Sequence, residues 1–318
     1  MTRGRTIKDI PVGLYHLSYY LPDRVATVEE LAEMLSFDPE KLRMFKEVHG
    51  LRAVRVADGE TTADIAVKVA AKALDESGID GREIDVLIFY HTIYMVSLHP
   101  VCLVGRIQHE LGLSRSIGFS VWEQNCASII TAIRIAKDMI LAGSAETVML
   151  VGADADVGAT REIPGTTLLG EGGSAIIVRA NCTENKIVGT MTQTDASLYK
   201  GYCSTEEEFA RFNMIYVLAT SRIMRRALKE MGLALDQIRL IIPHNINISS
   251  WNRILAMLKC DSKILFADNI ASNGHIFGSD LVINFVDAVS AGRLERGDRA
   301  LLVTAGLGAC WGCAVIEH

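Results

Sequence analysis

"KALDESGIDGREIDVLIFY" (72–90) and "RALKEMGLALDQIRLIIPH" (226–244) carry the same pattern twice. At an offset of 154 positions, Ala73, Leu74, Glu76, Gly78 and Ile84 align with Ala227, Leu228, Glu230, Gly232 and Ile238. Each stretch reads as the end of a helix, a glycine stop, a short polar turn and an apolar strand. Further on, helix, Ala-Gly and strand recur as "ILAGSAETVMLVGA" (140–153) and "VSAGRLERGDRALLVTAG" (289–306). A repeat of two large units is a duplicated domain and not a solenoid. The chain therefore reads as two similar halves, 1–182 and 183–318. No proline-rich or low-complexity linker separates them, so they are expected to pack closely.

Both halves alternate strand and helix. "IDVLIFY" (84–90), "TVMLVGA" (147–153), "LIIP" (240–243) and "RALLVTAG" (299–306) are almost wholly apolar, as strands covered on both faces are. Helical patterns lie at 61–78, 126–143, 216–232 and 279–292. This alternation predicts an α/β fold. The 318 residues are 49% hydrophobic and 22% charged, with a net charge of −6. The acidic balance argues against a nucleic-acid or membrane-surface role. No apolar run is long enough to span a membrane, and the N-terminus lacks a secretory segment. A cytosolic protein with reduced thiols is expected. Cys310 and Cys313 form one CxxC without a second pair, which reads as two thiols of a buried strand and not as a metal site.

Five residues could carry chemistry. Cys126 opens the helix "CASIITAIRIAKDMILAG", whose Ile129, Ile130, Ile133, Ile135, Met139 and Ile140 wrap most of its surface. Such a helix should be central and buried. The positive end of its dipole and its unpaired N–H groups favour a thiolate and can stabilise an oxyanion. A buried inert thiol is the plainer reading of a lone cysteine. His244 follows the strand "RLIIP" directly, where open α/β folds place binding residues. Asn273 lies in "ASNGHIFGSD", as a turn residue or as a neutral donor beside His244. The duplication matches the strand "IGFSVW" (117–122), which leads into Cys126, with "KILFADNIASNG" (263–274), and so places Cys126 and Asn273 at roughly equivalent positions. His275 in the same loop, and His99, are weaker candidates. The glycine-rich "GEGGSA" (170–175) and "GLGACWG" (306–312) fit no phosphate-loop spacing. The first reads as tight packing beside a strand, the second as backbone that approaches a ligand closely.

With these segments in order, the chain resembles the beta-ketoacyl-acyl-carrier-protein synthase III family of the thiolase superfamily over nearly its whole length. "SVWEQNCASIITAI" (120–133) is similar to the family's cysteine segment, and "LLGEGGSAIIV" (168–178) to its G-D-G-A-G-A loop. "IIPHNIN" (241–247) is similar to P-H-Q-A-N, and "GLGACWGCAVI" (306–316) to the closing G-G-G-x-x-W-G. The resemblance implies a five-layered αβαβα fold, an obligate homodimer and a Cys-His-Asn site without metal or cofactor. Cys126 would be the nucleophile, with His244 and Asn273 binding the carbonyl of a second thioester. The N–H groups of Cys126 and Leu307 would form the oxyanion hole. Asn247 would support the His244 loop, and His99 would stand at a position that gates the acyl pocket. Trp122 is a further pocket candidate.

The departures are local. "NGHIFG" (273–278) replaces N-T-S-A-A-S, so Ser272 or His275 could take the place of Asn273. Polar "EQN" (123–125) replaces small residues before the cysteine. The tryptophan that stacks on coenzyme A has no clear counterpart near 41–50, which favours an acyl carrier protein over acyl-CoA as donor. The expected reaction is acylation of Cys126 followed by decarboxylative condensation with a malonyl thioester. The alternative is transfer of the acyl group to an oxygen, nitrogen or sulfur acceptor.

Overall fold

The computed structural model describes residues 10–93, 102–158 and 161–318, apart from the side chain of Tyr202. His99 lies outside the described residues. In chain order the strands are β1 (Val12–Tyr20), β2 (Val25–Thr27), β3 (Ala53–Arg55), β4 (Val86–Tyr90), β5 (Ile117–Val121), β6 (Thr147–Asp154), β7 (Glu162–Ile163), β8 (Thr167–Leu168), β9 (Gly172–Ala180), β10 (Lys186–Thr194), β11 (Leu240–Pro243), β12 (Arg299–Gly306) and β13 (Cys310–Glu317). The helices are α1 (Val28–Met34), α2 (Pro39–Arg43), α3 (Thr62–Ser77), α4 (Leu103–Glu110), α5 (Ser128–Leu141), α6 (Glu206–Glu230), α7 (Ile248–Leu258), α8 (Ile270–Asn273) and α9 (Asp280–Ser290).

The duplicated stretches fold alike. Helix α3 ends at Gly78 and α6 just before Gly232, and both glycines adopt φ +69°. That left-handed turn is where glycine is preferred. A 3₁₀ turn follows each, at Gly81–Glu83 and Leu235–Gln237, then a parallel strand. Ile84 and Ile238, paired in the repeat, are both buried. Asp85 then donates its N–H to Thr147 at the start of β6, and Arg239 donates to Arg299 at the start of β12. Capping boxes at Thr61–Asp64 and Thr205–Glu208 start the two helices.

The main sheet has the order β11-β12-β13-β10-β1-β9-β6-β4-β5. Its halves meet at β1 and β10, which share one register pair, Gly13 with Lys186. Helices α3 and α4 pack on the outer face of the first half, around Ile65, Val69, Leu87 and Met149. Helices α6 and α7 cover the second half, around Trp251, Ile241 and Val303. Between the two halves of this sheet lie α5 and α9, whose Ile129, Ile133, Leu281 and Phe285 share one apolar cluster with both. This is the five-layered αβαβα arrangement. Among the described residues no helix is long and apolar enough to cross a membrane.

Two expectations change in detail. The segment 263–274, matched to a strand, makes a single parallel bridge, Leu265 to Ile241, after a 3₁₀ turn at Ser262–Ile264. The duplication also aligns differently around the cysteine. Asn125 (φ +50°) opens the 3₁₀ turn Asn125–Ala127, and α5 starts at Ser128. Phe277 (φ +48°) opens the 3₁₀ turn Phe277–Ser279, and α9 starts at Asp280. The counterpart of Cys126 is therefore Gly278, five residues beyond Asn273.

Candidate active site

The burial of α5 fixes the cysteine. Ile129, Ile130 and Ile133 are fully covered, each contributing roughly 1.5–3 kcal/mol relative to exposure. Cys126 sits in the turn that enters this helix, 5% exposed. The strand β12 closes on it from the other half. A Cβ at Gly306 would stand 2.3 Å from the Gln124 carbonyl oxygen and 3.1 Å from the Cys126 nitrogen. The glycine-rich 306–312 segment thus lets one part of the protein approach another at this point. Asn125 completes the join by donating its side-chain amide to the Leu307 carbonyl.

Cys126 Sγ lies 3.2 Å from His275 Nε2. His275 Nδ1 lies 2.5 Å from Asp280 Oδ2, and both residues are buried. Asp280 is itself held by the N–H of Asn245 at Oδ2 (2.6 Å) and of Ile276 at Oδ1 (2.8 Å), at the first residue of α9. Burial alone would depress the His275 pKa, but Cys126 and Asp280 together outweigh it and raise the ring to about 10. The arrangement is a nucleophile, a base and an orienting carboxylate within hydrogen-bond reach of one another.

His244 occupies the adjoining wall, its ring centroid 5.4 Å from that of His275. The Ala305 N–H donates to its Nδ1 at 3.2 Å, and its Nε2 lies 2.5 Å from the Tyr216 hydroxyl. Burial, and then the neighbouring His275, holds its pKa well below the ordinary imidazole range. Its ring is therefore neutral, with the proton on Nε2. The loop that carries it is anchored on both sides. Trp251 donates its indole N–H to the His244 carbonyl. Asn247 caps α7 through Ser250 and reaches back to the Thr166 carbonyl.

Thr92, Asn125, Cys126, Phe212, Tyr216, His244, His275, Phe277 and Leu307 line one buried pocket, with Ile163, Thr166, Ile246 and Ala305. Asn273 is not among them. Its Oδ1 accepts from Arg55 Nε at 3.2 Å, on the far side of the turn that packs against Gly170. The pocket shares Thr92, Asn125, Phe277 and Leu307 with an outer groove that also includes Trp122, Glu123, Tyr199 and Lys200. Trp122 stacks on His91 at 6.0 Å. Directly after His91, Thr92 and Ile93 are pinned by Asp154, which accepts their N–H groups at 2.7 and 2.8 Å. Burial raises the Asp154 pKa to about 7.

The structure thus brings Cys126, His244, His275 and Leu307 together, leaves Trp122 at the groove, and turns Asn273 away. Sequence reading missed Asp280 and Tyr216. Asp280 had a faint signal, a carboxylate five residues after His275 at a helix start. Tyr216 had none, being one aromatic in an amphipathic helix. The polar run "EQN" divides its work: Asn125 makes the left-handed turn, Gln124 accepts from Thr131, and Glu123 faces the outer groove.

A five-layered duplicated fold with a buried cysteine entering its central helix defines the thiolase class. The family model for the C-terminal part of 3-oxoacyl-[acyl-carrier-protein] synthase III matches residues 228–318, and that for 3-oxoacyl-[acyl-carrier-protein] synthase III matches 122–196. Together they cover just over half of the chain. The beta-ketoacyl-[acyl-carrier-protein] synthase III of Rhodospirillum centenum is 28% identical over 319 residues, spanning 94% of this chain and 96% of that protein. The crystal structure of the Aquifex aeolicus 3-oxoacyl-[acyl-carrier-protein] synthase III superposes with a TM-score of 0.84 at 22% identity, over 97% of this chain and 100% of that one. ChlB3, described as an acyltransferase, gives 0.84 at 18% identity, over 96% and 97%. The chain belongs to the beta-ketoacyl-acyl-carrier-protein synthase III-like family and is an acyl-transferring enzyme.

Proposed function

We propose that the protein is a decarboxylative condensing enzyme working through an acyl-Cys126 intermediate. The observation that carries this reading is the convergence of Cys126, His275 and His244 on one buried pocket. Before the first half-reaction the thiol proton already rests on His275, whose imidazolium Asp280 stabilises; Sγ attacks an acyl thioester, and the donor's thiol leaves as a thiolate that solvent protonates. The N–H groups of Cys126 and Leu307, both pocket residues, receive the oxyanion. His275 replaces Asn273 in the assignment of the third catalytic group, because it contacts sulfur and Asn273 contacts Arg55.

In the second half-reaction a malonyl thioester lies against His275 and the His244–Tyr216 wall. Loss of carbon dioxide leaves an enolate, which these donors stabilise without a metal. The enolate attacks the acyl group and gives a 3-oxoacyl thioester. The donor is an acyl carrier protein or acyl-CoA whose pantetheine arm enters through the outer groove beside Trp122. We read the protein as a cytosolic homodimer of chains divided near residues 182–183. Among the described residues β5 pairs on one side alone, and this edge supports the dimer, with Ile117 69% exposed on a strand that a second copy can extend.

One observation favours the second reading, transfer to an oxygen, nitrogen or sulfur acceptor. His275 and Asp280 form a base couple suited to deprotonating such an acceptor, and a malonyl carboxylate must be desolvated near Asp280 and Asp154. Carbon dioxide release separates the two. The wild-type enzyme acylated from an acyl-pantetheine is expected to release carbon dioxide from malonyl-pantetheine, with Cys126→Ala forming no acyl adduct. An adduct that is discharged only by alcohols, amines or thiols, with no carbon dioxide, would replace condensation with simple transfer.

A further inference from the structure

The hydrogen on His244 Nε2 is already committed. A backbone N–H can only donate, so the Ala305 contact makes Nδ1 an acceptor and leaves the ring proton on Nε2. That proton points at the Tyr216 oxygen, 2.5 Å away. The phenol then accepts from His244 and keeps its own O–H to donate. Tyr216 is 3% exposed, lines the same pocket as Cys126, and lies among apolar Phe212 and Ile246. Thr220 stands one helical turn on. Thr220 in turn accepts the Trp311 indole N–H at 3.2 Å. A hydroxyl that accepts from an imidazole N–H is a stronger donor, because chained hydrogen bonds polarise one another.

We propose that Tyr216 is a catalytic residue whose hydroxyl, and not the His244 imidazole, donates to the carbonyl oxygen of the second thioester. His244 acts through it as a positioning residue. The proposal rests on the condensing reading. The malonyl carbon–carboxylate bond breaks, its electron pair forms the enolate, and carbon dioxide leaves. Tyr216 O–H and His275 N–H hold the enolate oxygen. The enolate carbon then bonds to the acyl carbonyl carbon, and the carbon–sulfur bond breaks. Its electron pair returns to sulfur as a thiolate facing His275. Tyr216 keeps its proton throughout. Burial raises its pKa, so the phenol stays protonated across the working pH range.

The test is Tyr216→Phe, which removes one oxygen from the ring. Acylation from hexanoyl-pantetheine is followed by intact mass, and carbon dioxide release from malonyl-pantetheine is measured on the acylated enzyme. Tyr216→Phe is expected to acylate at the wild-type rate and to release carbon dioxide about 100-fold more slowly, as when one oxyanion donor is lost. Replacing Tyr216 by fluorotyrosines of graded acidity adds a readout that packing alone does not move. The decarboxylation rate should follow phenol acidity. Carbon dioxide release by Tyr216→Phe at or above the wild-type rate would overturn the proposal and return the donor role to His244. A wild-type enzyme that acylates but never releases carbon dioxide would refute the condensing reading itself, before any variant is compared.

Discussion

At the scale of the residue, the site turns on one position in the 273–280 loop. His275 reaches Cys126 because Gly274, at φ +69°, turns the chain between it and Asn273. The two side chains consequently face different neighbours, sulfur and Arg55. Sequence spacing alone could not separate them, since both lie within one turn and either alignment keeps the flanking glycines. Cys126 and His244 were legible because a buried helix start and a strand end restrict where their side chains can go. Asp280 supports His275 in its raised titration. Asp280→Asn should move the His275 pKa down from about 10 toward the ordinary value, read from its ring resonances by NMR. The linkage has a definite sign. His275 contributes stability that is full below about pH 6.5 and is lost as pH rises toward 10, and Asp280→Asn should flatten that slope. The same variant should slow acylation of Cys126 by about 100-fold or more.

The elements meet where β12 crosses the turn into α5. A methyl group at Gly306 has no room, because it would meet the Gln124 and Cys126 backbone and the Asn125 Cβ, none of which can rotate away. Gly306→Ala should therefore cost about 1–3 kcal/mol in denaturant unfolding. It should also lower acylation by about 100-fold, through displacement of the nucleophile. The strands and helices of the repeat were readable because apolar runs and glycine stops recur at fixed spacing. Helix α6 was not readable in full. It starts at Glu206, ten residues before the apolar pattern at 216, because a capping box at Thr205 and three glutamates in the first turn extend it through polar sequence. That extension holds Phe212 and Tyr216 over the pocket.

Over the whole molecule, the two halves are tied by chemistry as well as by packing, since Cys126 comes from one and His244, His275 and Asp280 from the other. Duplication was visible in the sequence, but the register between halves was not. It depends on the matching left-handed residues Asn125 and Phe277, neither of which is a glycine. Asp154 gives the fold a pH dependence. Its carboxyl binds a proton more tightly when folded, so stability should fall as pH rises from about 4 to about 7 and level off above. Asp154→Asn keeps the oxygen that accepts from Thr92 and Ile93. It should raise stability at pH 8 by about 1–3 kcal/mol, with the gain shrinking toward pH 4. The open edge of β5 predicts a dimer in sedimentation equilibrium, and Ile117→Lys should shift it toward monomer.

The central claim is that Cys126 is acylated with His275, and not Asn273, as its partner. Intact mass after mixing with hexanoyl-pantetheine tests it directly. A single acyl adduct is expected on the wild type and on Asn273→Ala at similar rates, none on Cys126→Ala, and formation slowed about 100-fold or more in His275→Ala. Rapid acylation of His275→Ala together with slow acylation of Asn273→Ala would contradict it.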